Sequence, residues 1–150
     1  MAFEVVGMSA ENQAAWQTAL GVSRNVDVNI TSADILALDS VVKELVAAPG
    51  AGKVCRIDSI VVKYSFGTIE YTGGGHIYFQ YGASGVTYLR ISSSGSPLLG
   101  SNDQFLIAGP FGAVFTVFEN QSIVMKASAA FLDGDGTAKV SIAYTVIDLS

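Results

Sequence analysis

The residues that could supply a nucleophile and its base occur once each, since His76 is the only histidine and Cys55 the only cysteine. A Ser-His-acid or Cys-His centre would have to use them. Both fall in segments that we predict to be strands, and neither is flanked by a nucleophile-elbow sequence. A buried free cysteine is ordinary core material. We therefore predict no nucleophilic triad, no internal disulfide framework and no multi-cysteine zinc site.

A glycine-rich segment, PGAGK at residues 49–53, has part of the pattern of a phosphate-binding loop. That loop requires an earlier glycine and a Ser or Thr after the lysine, where this chain has Ala47 and Val54. No helical pattern follows Lys53, so the helix N-terminus that would receive a phosphate is missing. We predict a hairpin turn here and no nucleotide site.

A second glycine-rich segment, DGDG at residues 133–136, resembles the start of a calcium-binding loop. Such a loop also needs an oxygen ligand at its fifth position and a bidentate glutamate at its twelfth. Thr137 and Tyr144 stand at those positions. We predict a glycine-rich turn, with a partial surface cation site at Asp133 and Asp135 as the alternative.

A catalytic pair of carboxylates, as in glycosidases, is an alternative interpretation of the remaining acidic residues. Their spacing in the sequence does not exclude such a pair. They fall mostly at turns or on outward strand faces, which favours plain surface charge. We predict that the protein is not an enzyme. No catalytic, cofactor-binding or metal-binding residue is assigned.

Four tyrosines that follow one another along the chain could present rings for stacking on sugars: Tyr71, Tyr78, Tyr81 and Tyr88. Tyrosine is also a common strand residue that packs on half-buried sheet surfaces. We favour a place in the core or in a subunit interface, with a carbohydrate platform as the alternative. Tyr71 and Tyr88 are assigned as partner-binding residues.

The amino-terminal segment differs from the rest of the chain because it predicts a short helix. Ser9 suits an N-cap, residues 10–20 are mostly helix formers, and Gly21 stands where a C′ residue belongs. The apolar side of this helix is thin, so the helix would be marginal in isolation. It either packs on its own domain or forms an arm to a neighbouring subunit. Trp16 and Leu20 are assigned as partner-binding residues of that arm.

From Val26 onward, apolar and polar residues alternate, which predicts strands. Thr31 and Asp34 have the T-x-x-D spacing of a capping box, which predicts one helical turn over Ile35–Leu38. Further predicted strands lie at residues 41–47, 54–64, 68–71, 76–81, 86–91, 104–107, 113–118, 122–127 and 139–147.

Two of these strands carry more detail. In the strand at 54–64 the alternation shifts phase, and a bulge near Asp58 and Ser59 would restore it. In the strand at 139–147, Val140 marks an apolar face, while Ser141 and Thr145 mark a wet one. Turns rich in Gly, Pro, Asn and Asp separate the strands.

Short strands with frequent turns predict an all-β fold, which we assign as a jelly-roll-like antiparallel β-sandwich with a short N-terminal helical arm. The arm covers residues 1–25 and the sandwich domain covers residues 26–150. We find no internal repeat and no linker.

Charge is scarce in this chain. Charged residues make up 14% and hydrophobic residues 50%, and the mean hydropathy is +0.45. A net charge of −5 without a basic cluster argues against nucleic-acid binding. No apolar run reaches the ~18 residues of a membrane helix, and the first residues lack the positive region of a secretory signal. The excess hydrophobicity predicts burial between subunits.

Four segments together resemble a known family: SADILAL at 32–38, ELVAAPGAGKV at 44–54, YTGGG at 71–75 and YFQYG at 78–82. They resemble small virion structural proteins of tailed bacteriophages, over about residues 28–82. The resemblance lies in the order of strands and turns and involves no catalytic residue. It implies a coat component of the capsid decoration, or cement, type, which is a compact β domain set as a trimer on the head shell.

The resemblance also implies location and partners. The chain would be made in the host cytoplasm and carried in the virion, as a homotrimer bound to the major capsid protein or another virion protein. A tail or head fibre module that binds a host-surface glycan or receptor is the alternative. No functional residue is carried over, because such proteins act through surfaces.

Overall fold

The computed structural model describes Ser9 and residues 21–82, 85–109 and 117–150 of the chain. The predicted helix at residues 10–20, with Trp16 and Leu20, lies outside this part, as does most of the predicted strand at 113–118. The described elements are β1 (Val22–Ile30), α1 (Ser32–Ala37), β2 (Lys43–Val46), β3 (Lys53–Ser65), β4 (Tyr71–Gly73), β5 (Ile77–Tyr81), β6 (Thr87–Ile91), two 3-10 turns (Ser93–Gly95 and Pro97–Leu99), β7 (Gln104–Ala108), β8 (Ile123–Ala127), β9 (Phe131–Asp133) and β10 (Thr137–Asp148).

Eight of these strands form two four-stranded sheets, and the chain passes repeatedly from one sheet to the other. The first sheet has the order β1-β10-β3-β7, and the second sheet has the order β2-β8-β5-β6. The short strands β4 and β9 form a separate pair. Every described pairing is antiparallel. The prediction of an all-β fold of antiparallel sheets is therefore confirmed.

The core lies between the inner faces of the two sheets. Along β3, the buried residues Ile60, Val62 and Tyr64 alternate with more exposed neighbours, as the side-chain period of a strand requires. The other sheet contributes the buried side chains of Ile77, Phe79, Tyr81, Ile123 and Met125. Burial of one such side chain contributes roughly 1.5–3 kcal/mol to stability.

A β-bulge interrupts β3 at the place where the sequence pattern shifts phase. Ser59 pairs with Ala143 and Ile57 pairs with Tyr144, so Asp58 is the extra residue. The predicted bulge is confirmed. The Asp58 carboxylate accepts hydrogen bonds from Arg56 Nε at 2.9 Å and from Thr145 Oγ1 at 2.7 Å.

The sequence predicts that Thr145 lies on the solvent-exposed face of β10, but in the structure this residue is buried. Its side chain is buried, because its hydroxyl lies between Asp58 and Arg56 and because Gly21 packs against it. A Cβ on Gly21 would come within 2.5 Å of Thr145 Cγ2, and Gly21 has a φ of 88°. This close approach requires glycine.

The capping box predicted for the short helix is present. Thr31 Oγ1 accepts from the backbone N–H of Asp34 at 3.1 Å, and Asp34 Oδ2 accepts from the backbone N–H of Thr31 at 2.9 Å. The helix spans Ser32–Ala37, a few residues earlier than predicted. Its buried residue Ile35 attaches it to the core.

The largest differences from the predicted strands are at β1, β4 and β9, while the other described strands differ from their predicted ranges by one or two residues at either end. β1 begins at Val22, so residues 22–25, assigned above to the arm, belong to the first sheet. The strand expected at 68–71 starts only at Tyr71, and its partner β9 was not predicted at all. Residues 68–69 are held out of the sheet because the Asp135 carboxylate accepts the backbone N–H groups of Thr68 and Ile69, at 2.7 and 2.9 Å.

Candidate assembly surface

The edge strand β7 differs from the other three edges of the two four-stranded sheets because it carries no charged residue. Charged side chains on an edge strand normally prevent it from pairing with another chain. The other three edges have such residues: Arg24 and Asp27 on β1, Lys43 and Glu44 on β2, and Arg90 on β6. Among the described residues, β7, with the sequence QFLIA, is thus the edge of the four-stranded sheets that lacks this charge protection.

Two large apolar side chains of β7 point away from the core. Val62 and Tyr64 of β3 point inward, so Val61 and Lys63 point outward, and they pair with Ile107 and Phe105. Phe105 is 66% exposed and Ile107 is 72% exposed. We call Val61, Lys63, Phe105 and Ile107 the β7 surface.

Charged groups border the apolar part of the β7 surface on the side of β3, β10 and β1. The Lys63 ammonium lies 5.8 Å from the centre of the Phe105 ring, in cation–π range. Further across the sheet, Lys139 Nζ lies 2.6 Å from Asp27 Oδ2, and Ser141 donates to Asp27 Oδ1 at 2.6 Å. The hydrogen bonds from Lys139 and Ser141 lower the pKa of Asp27. A partner would therefore meet an apolar strip with a polar margin.

Local contacts hold β7 in place. The Asp103 carboxylate, just before the strand, accepts the backbone N–H of Phe66 at 2.8 Å. The 3-10 turn ahead of it buries Pro97 and Leu98, and a side chain on Gly100 would collide with Gln104. These contacts fix the start of β7, so its outward residues are presented on a rigid element.

Tyr71, assigned above as a partner-binding residue, lies in the core. Its ring is 2% exposed and packs edge-on against Phe131 with a centroid distance of 5.8 Å. Its hydroxyl donates to the Gly136 carbonyl at 2.7 Å. Burial raises the pKa of Tyr71 to about 12. A partner could touch this ring only if the core opened.

Tyr88 is half-buried beside a second core tyrosine. Its hydroxyl donates to the Ile57 carbonyl at 2.8 Å, and its ring meets that of Tyr81 edge-on, with centroids 6.2 Å apart. The Tyr81 hydroxyl donates to the Cys55 carbonyl at 2.7 Å. Burial raises the pKa of Tyr88 to about 12 and that of Tyr81 as well. Only Tyr78 of the four tyrosines lies on the outer face of a sheet, so the rings do not form one platform.

The partner-binding assignments of Trp16, Leu20, Tyr71 and Tyr88 remain predictions. The first two residues lie outside the described part of the chain. The sequence did not single out Phe105 and Ile107, although the short apolar run FLIA after Gln104 was a usable signal for a strand. What the sequence could not show is that this strand would end a sheet.

The single histidine and cysteine have structural surroundings. His76 Nδ1 accepts the backbone N–H of Ser93 at 3.2 Å. Cys55 is buried, and burial raises the pKa of its thiol. The contacts of both side chains are therefore structural: His76 accepts a backbone hydrogen bond, and Cys55 packs in the core.

The two glycine-rich motifs use their polar groups internally. The backbone N–H groups of Gly50 and Gly52 donate to Asn120 and Glu119, so acidic and amide oxygens take the donors that a phosphate would need. The Asp135 carboxylate accepts from Thr68 and Ile69. Across the described ranges, no group of three or more His, Cys, Asp or Glu residues could hold a metal ion.

Comparison with known proteins places few constraints on this chain. No family model and no curated protein matches it. One similar solved structure is a cyanophage Pam1 capsid asymmetric unit, at 12% identity and a TM-score of 0.46, covering 97% of this chain and 93% of that one. Another is a pilus of Bacillus endospore appendages, described as a novel family of disulfide-linked pili, at 12% identity and a TM-score of 0.30, covering 83% and 87%. At such scores neither similarity supports an argument about function.

The described part of the chain contains no helix with the length and apolar character needed to cross a membrane.

Proposed function

We propose that this chain is a non-enzymatic structural component of a phage virion, and specifically a capsid decoration protein that binds and stabilises the assembled head shell. The observation that carries the proposal is the β7 surface, an uncharged sheet edge with Phe105 and Ile107 exposed. Such an edge is suited to pair with a strand of another subunit. The resemblance of residues 28–82 to small virion proteins supports the same role.

The strand order supports the finer fold assignment, a jelly roll. With the short pair β4 and β9 set aside, eight antiparallel strands divide into two sheets of four, and the chain crosses between the sheets. Jelly rolls are used both in viral capsids and in lectins. The fold is thus compatible both with capsid decoration and with glycan binding. The choice between these two functions therefore depends on the surfaces of the molecule.

The β7 surface suits a cyclic trimer or a contact with a coat subunit. Burial of Phe105 and Ile107 would contribute roughly 1.5–3 kcal/mol for each side chain, before the costs of association are subtracted. Pairing of β7 with a different element of the next copy is a heterologous contact, which closes into a ring when the rotation between copies allows it. One surface of this kind can therefore build a trimer.

The test replaces both exposed side chains with lysine, in the variant Phe105→Lys, Ile107→Lys. Native mass spectrometry should show the unaltered chain as a trimer and the variant as a smaller species. Sedimentation with purified head shells that lack the chain should recover the unaltered protein and leave most of the variant in solution.

The matched control is Val41→Lys, which places the same charge on an apolar residue that is 63% exposed in the turn after α1. The control should assemble and sediment as the unaltered chain does. Equal sedimentation of the double variant and the control, or a strict monomer at micromolar concentration that ignores head shells, would overturn the proposal.

A fibre module that binds a host-surface glycan is the second candidate, and one observation favours it: an open groove around Tyr78 on the outer face of the second sheet. Binding of the chain to host polysaccharide without any binding to head shells would favour the fibre role. Binding to shells alone would favour decoration.

A further inference from the structure

The outer face of the second sheet contains a groove of about 530 Å³ that the decoration role does not use. Its volume lies within the range of about 300–1,000 Å³ that is usual for small-molecule sites. Its floor is the central strand β5 and the neighbouring strand β8, so the site is built on rigid elements. The lining side chains include Asp39, Tyr78, Gln80, Thr87, Lys126 and Ser128.

A row of three side chains crosses this floor from strand to strand. Tyr78 pairs directly with Arg90 of β6 on one side and with Lys126 of β8 on the other. Neighbouring strands lie about 4.8 Å apart, so the two cationic residues stand about 10 Å apart with the aromatic ring between them. In the part of the chain that the structure describes, neither Arg90 nor Lys126 takes part in an ion pair.

The ring of Tyr78 is held in place and partly exposed. The His76 imidazole meets it edge-on, at a centroid distance of 6.2 Å and an interplanar angle of 78°. His76 is itself fixed, because its Nδ1 accepts from Ser93 and its backbone N–H donates to Ser128 Oγ at 2.8 Å. A half-exposed, oriented ring offers a stacking surface.

The polar side chains around the ring suit a ligand that is rich in hydroxyl groups. Thr87 and Ser128 can both donate and accept, and the Asp39 carboxylate accepts from hydroxyls. Gln80 is held by a hydrogen bond from its Nε2 to the Gly82 carbonyl at 3.0 Å. The carboxylate in the groove and the net charge of −5 oppose a densely charged phosphate polymer.

From this arrangement we infer that the groove binds an acidic saccharide, with a sugar ring stacked on Tyr78 and its carboxylate held by Lys126 in the groove. Arg90, which flanks Tyr78 on β6, would hold the carboxylate of an adjacent sugar. Each charged hydrogen bond is stronger than a neutral one. A sugar with one carboxylate per ring matches an aromatic ring flanked by two cations. The inference is independent of the decoration role, since it uses the opposite face of the molecule from the β7 surface.

The test titrates the full chain with a short oligogalacturonate and, separately, with a neutral maltooligosaccharide, by isothermal titration calorimetry at low salt. We expect saturable binding of the acidic sugar that weakens as salt is added, and much weaker binding of the neutral one. Tyr78→Ala should reduce the affinity about fivefold or more. The pair Arg90→Gln, Lys126→Gln should reduce it about tenfold or more.

Lys139→Gln is the matched control, because it removes one positive charge from the outer face of the other sheet. It should leave the affinity within a factor of about two, and thermal unfolding should show that all variants fold. Three results would overturn the inference: no saturable binding of the acidic sugar, an equal loss of affinity in Lys139→Gln, or tighter binding of single-stranded DNA of the same charge. The trimer and head-shell experiments remain valid in each case.

Discussion

A single carboxylate, that of Asp135, holds the loop that leads into β4. It accepts hydrogen bonds from the hydroxyl and backbone N–H of Thr68 and from the backbone N–H of Ile69. These bonds lower the pKa of Asp135 below its usual value of 3.8, the Thr68 hydroxyl having the largest effect. At the scale of one residue, ionisation and loop structure are therefore linked.

This linkage has a definite sign. Because the folded-state pKa lies below the unfolded-state pKa, the stabilisation by the Asp135 carboxylate is fully present above the unfolded value and is lost as the pH falls through the folded value. We expect Asp135→Asn to lower the melting temperature near neutral pH and to lose less stability than the unaltered chain during acidification. Thermal unfolding followed from about pH 7 to about pH 2 measures both effects.

Asp39→Asn serves as the control for this experiment, because it removes the same charge from an exposed residue in the turn after α1. Its melting curve should follow that of the unaltered chain across the pH range. If Asp135→Asn and Asp39→Asn had the same pH dependence, the Asp135 carboxylate would not be the group that links pH to stability.

At the scale of one element, the bulge in β3 predicts that this strand tolerates loss of Asp58. Ile57 and Ile60 both point into the core, and the bulge at Asp58 absorbs the residue that breaks the alternation. Deletion of Asp58 restores a regular strand with the same inner face, so the variant should fold. It should melt at a lower temperature, because Thr145 and Arg56 lose their acceptor.

Deletion of Val61 is the matched change in the same strand. It leaves Val62 and Tyr64 out of phase with Ile60, and a one-residue slip turns a strand's side chains to the opposite face. We expect this variant to be unfolded by circular dichroism and proteolysis while the Asp58 deletion stays folded. Equal behaviour of the two deletions would contradict the role given to the bulge.

Features that depend on neighbouring residues could be predicted from sequence, and features that depend on distant pairing could not. The capping box needs only Thr31 and Asp34, and the bulge follows from the phase shift around Asp58. The three-residue strand β9 is held by residues that lie far away along the chain. Buried and exposed tyrosines have the same local pattern, which is why Tyr71 was assigned to a partner.

The same distinction between local sequence signals and distant strand pairing applies to the β7 surface. The short apolar run in β7 predicts a strand, but its place at a sheet edge depends on pairing with β3. The outer row of Arg90, Tyr78 and Lys126 likewise exists only because three strands are in register. Sequence reasoning therefore found most of the described strands, whereas the two candidate surfaces became visible only in the structure.

At the scale of the whole molecule, the start of β1 determines how many amino-terminal residues can be removed without loss of a described strand. Because β1 begins at Val22, a chain that lacks residues 1–20 keeps every strand of the first sheet. We expect this truncated chain to fold and to bind head shells less well, and Trp16→Ala to cause much of the same loss, since a tryptophan is a frequent interface anchor.

Thermal unfolding and shell sedimentation on the same truncated protein decide between the two roles of the arm. A lower melting temperature with unchanged binding per folded molecule would mean that the arm only closes its own domain. Unchanged melting with weaker sedimentation would assign the arm to assembly.

The central position of β10 in the first sheet has a consequence for the order of events during synthesis. β10 lies between β1 and β3 and pairs with both of them. These two strands therefore cannot be joined in one sheet until residues 137–148 have been translated. At about 5–20 residues per second, the edges of β1 and β3 that pair with β10 stay unpaired for seconds. Folds dominated by such distant pairing close slowly, on the scale of about milliseconds to seconds. Completion of the first sheet therefore depends on β10, which pairs with strands translated long before it.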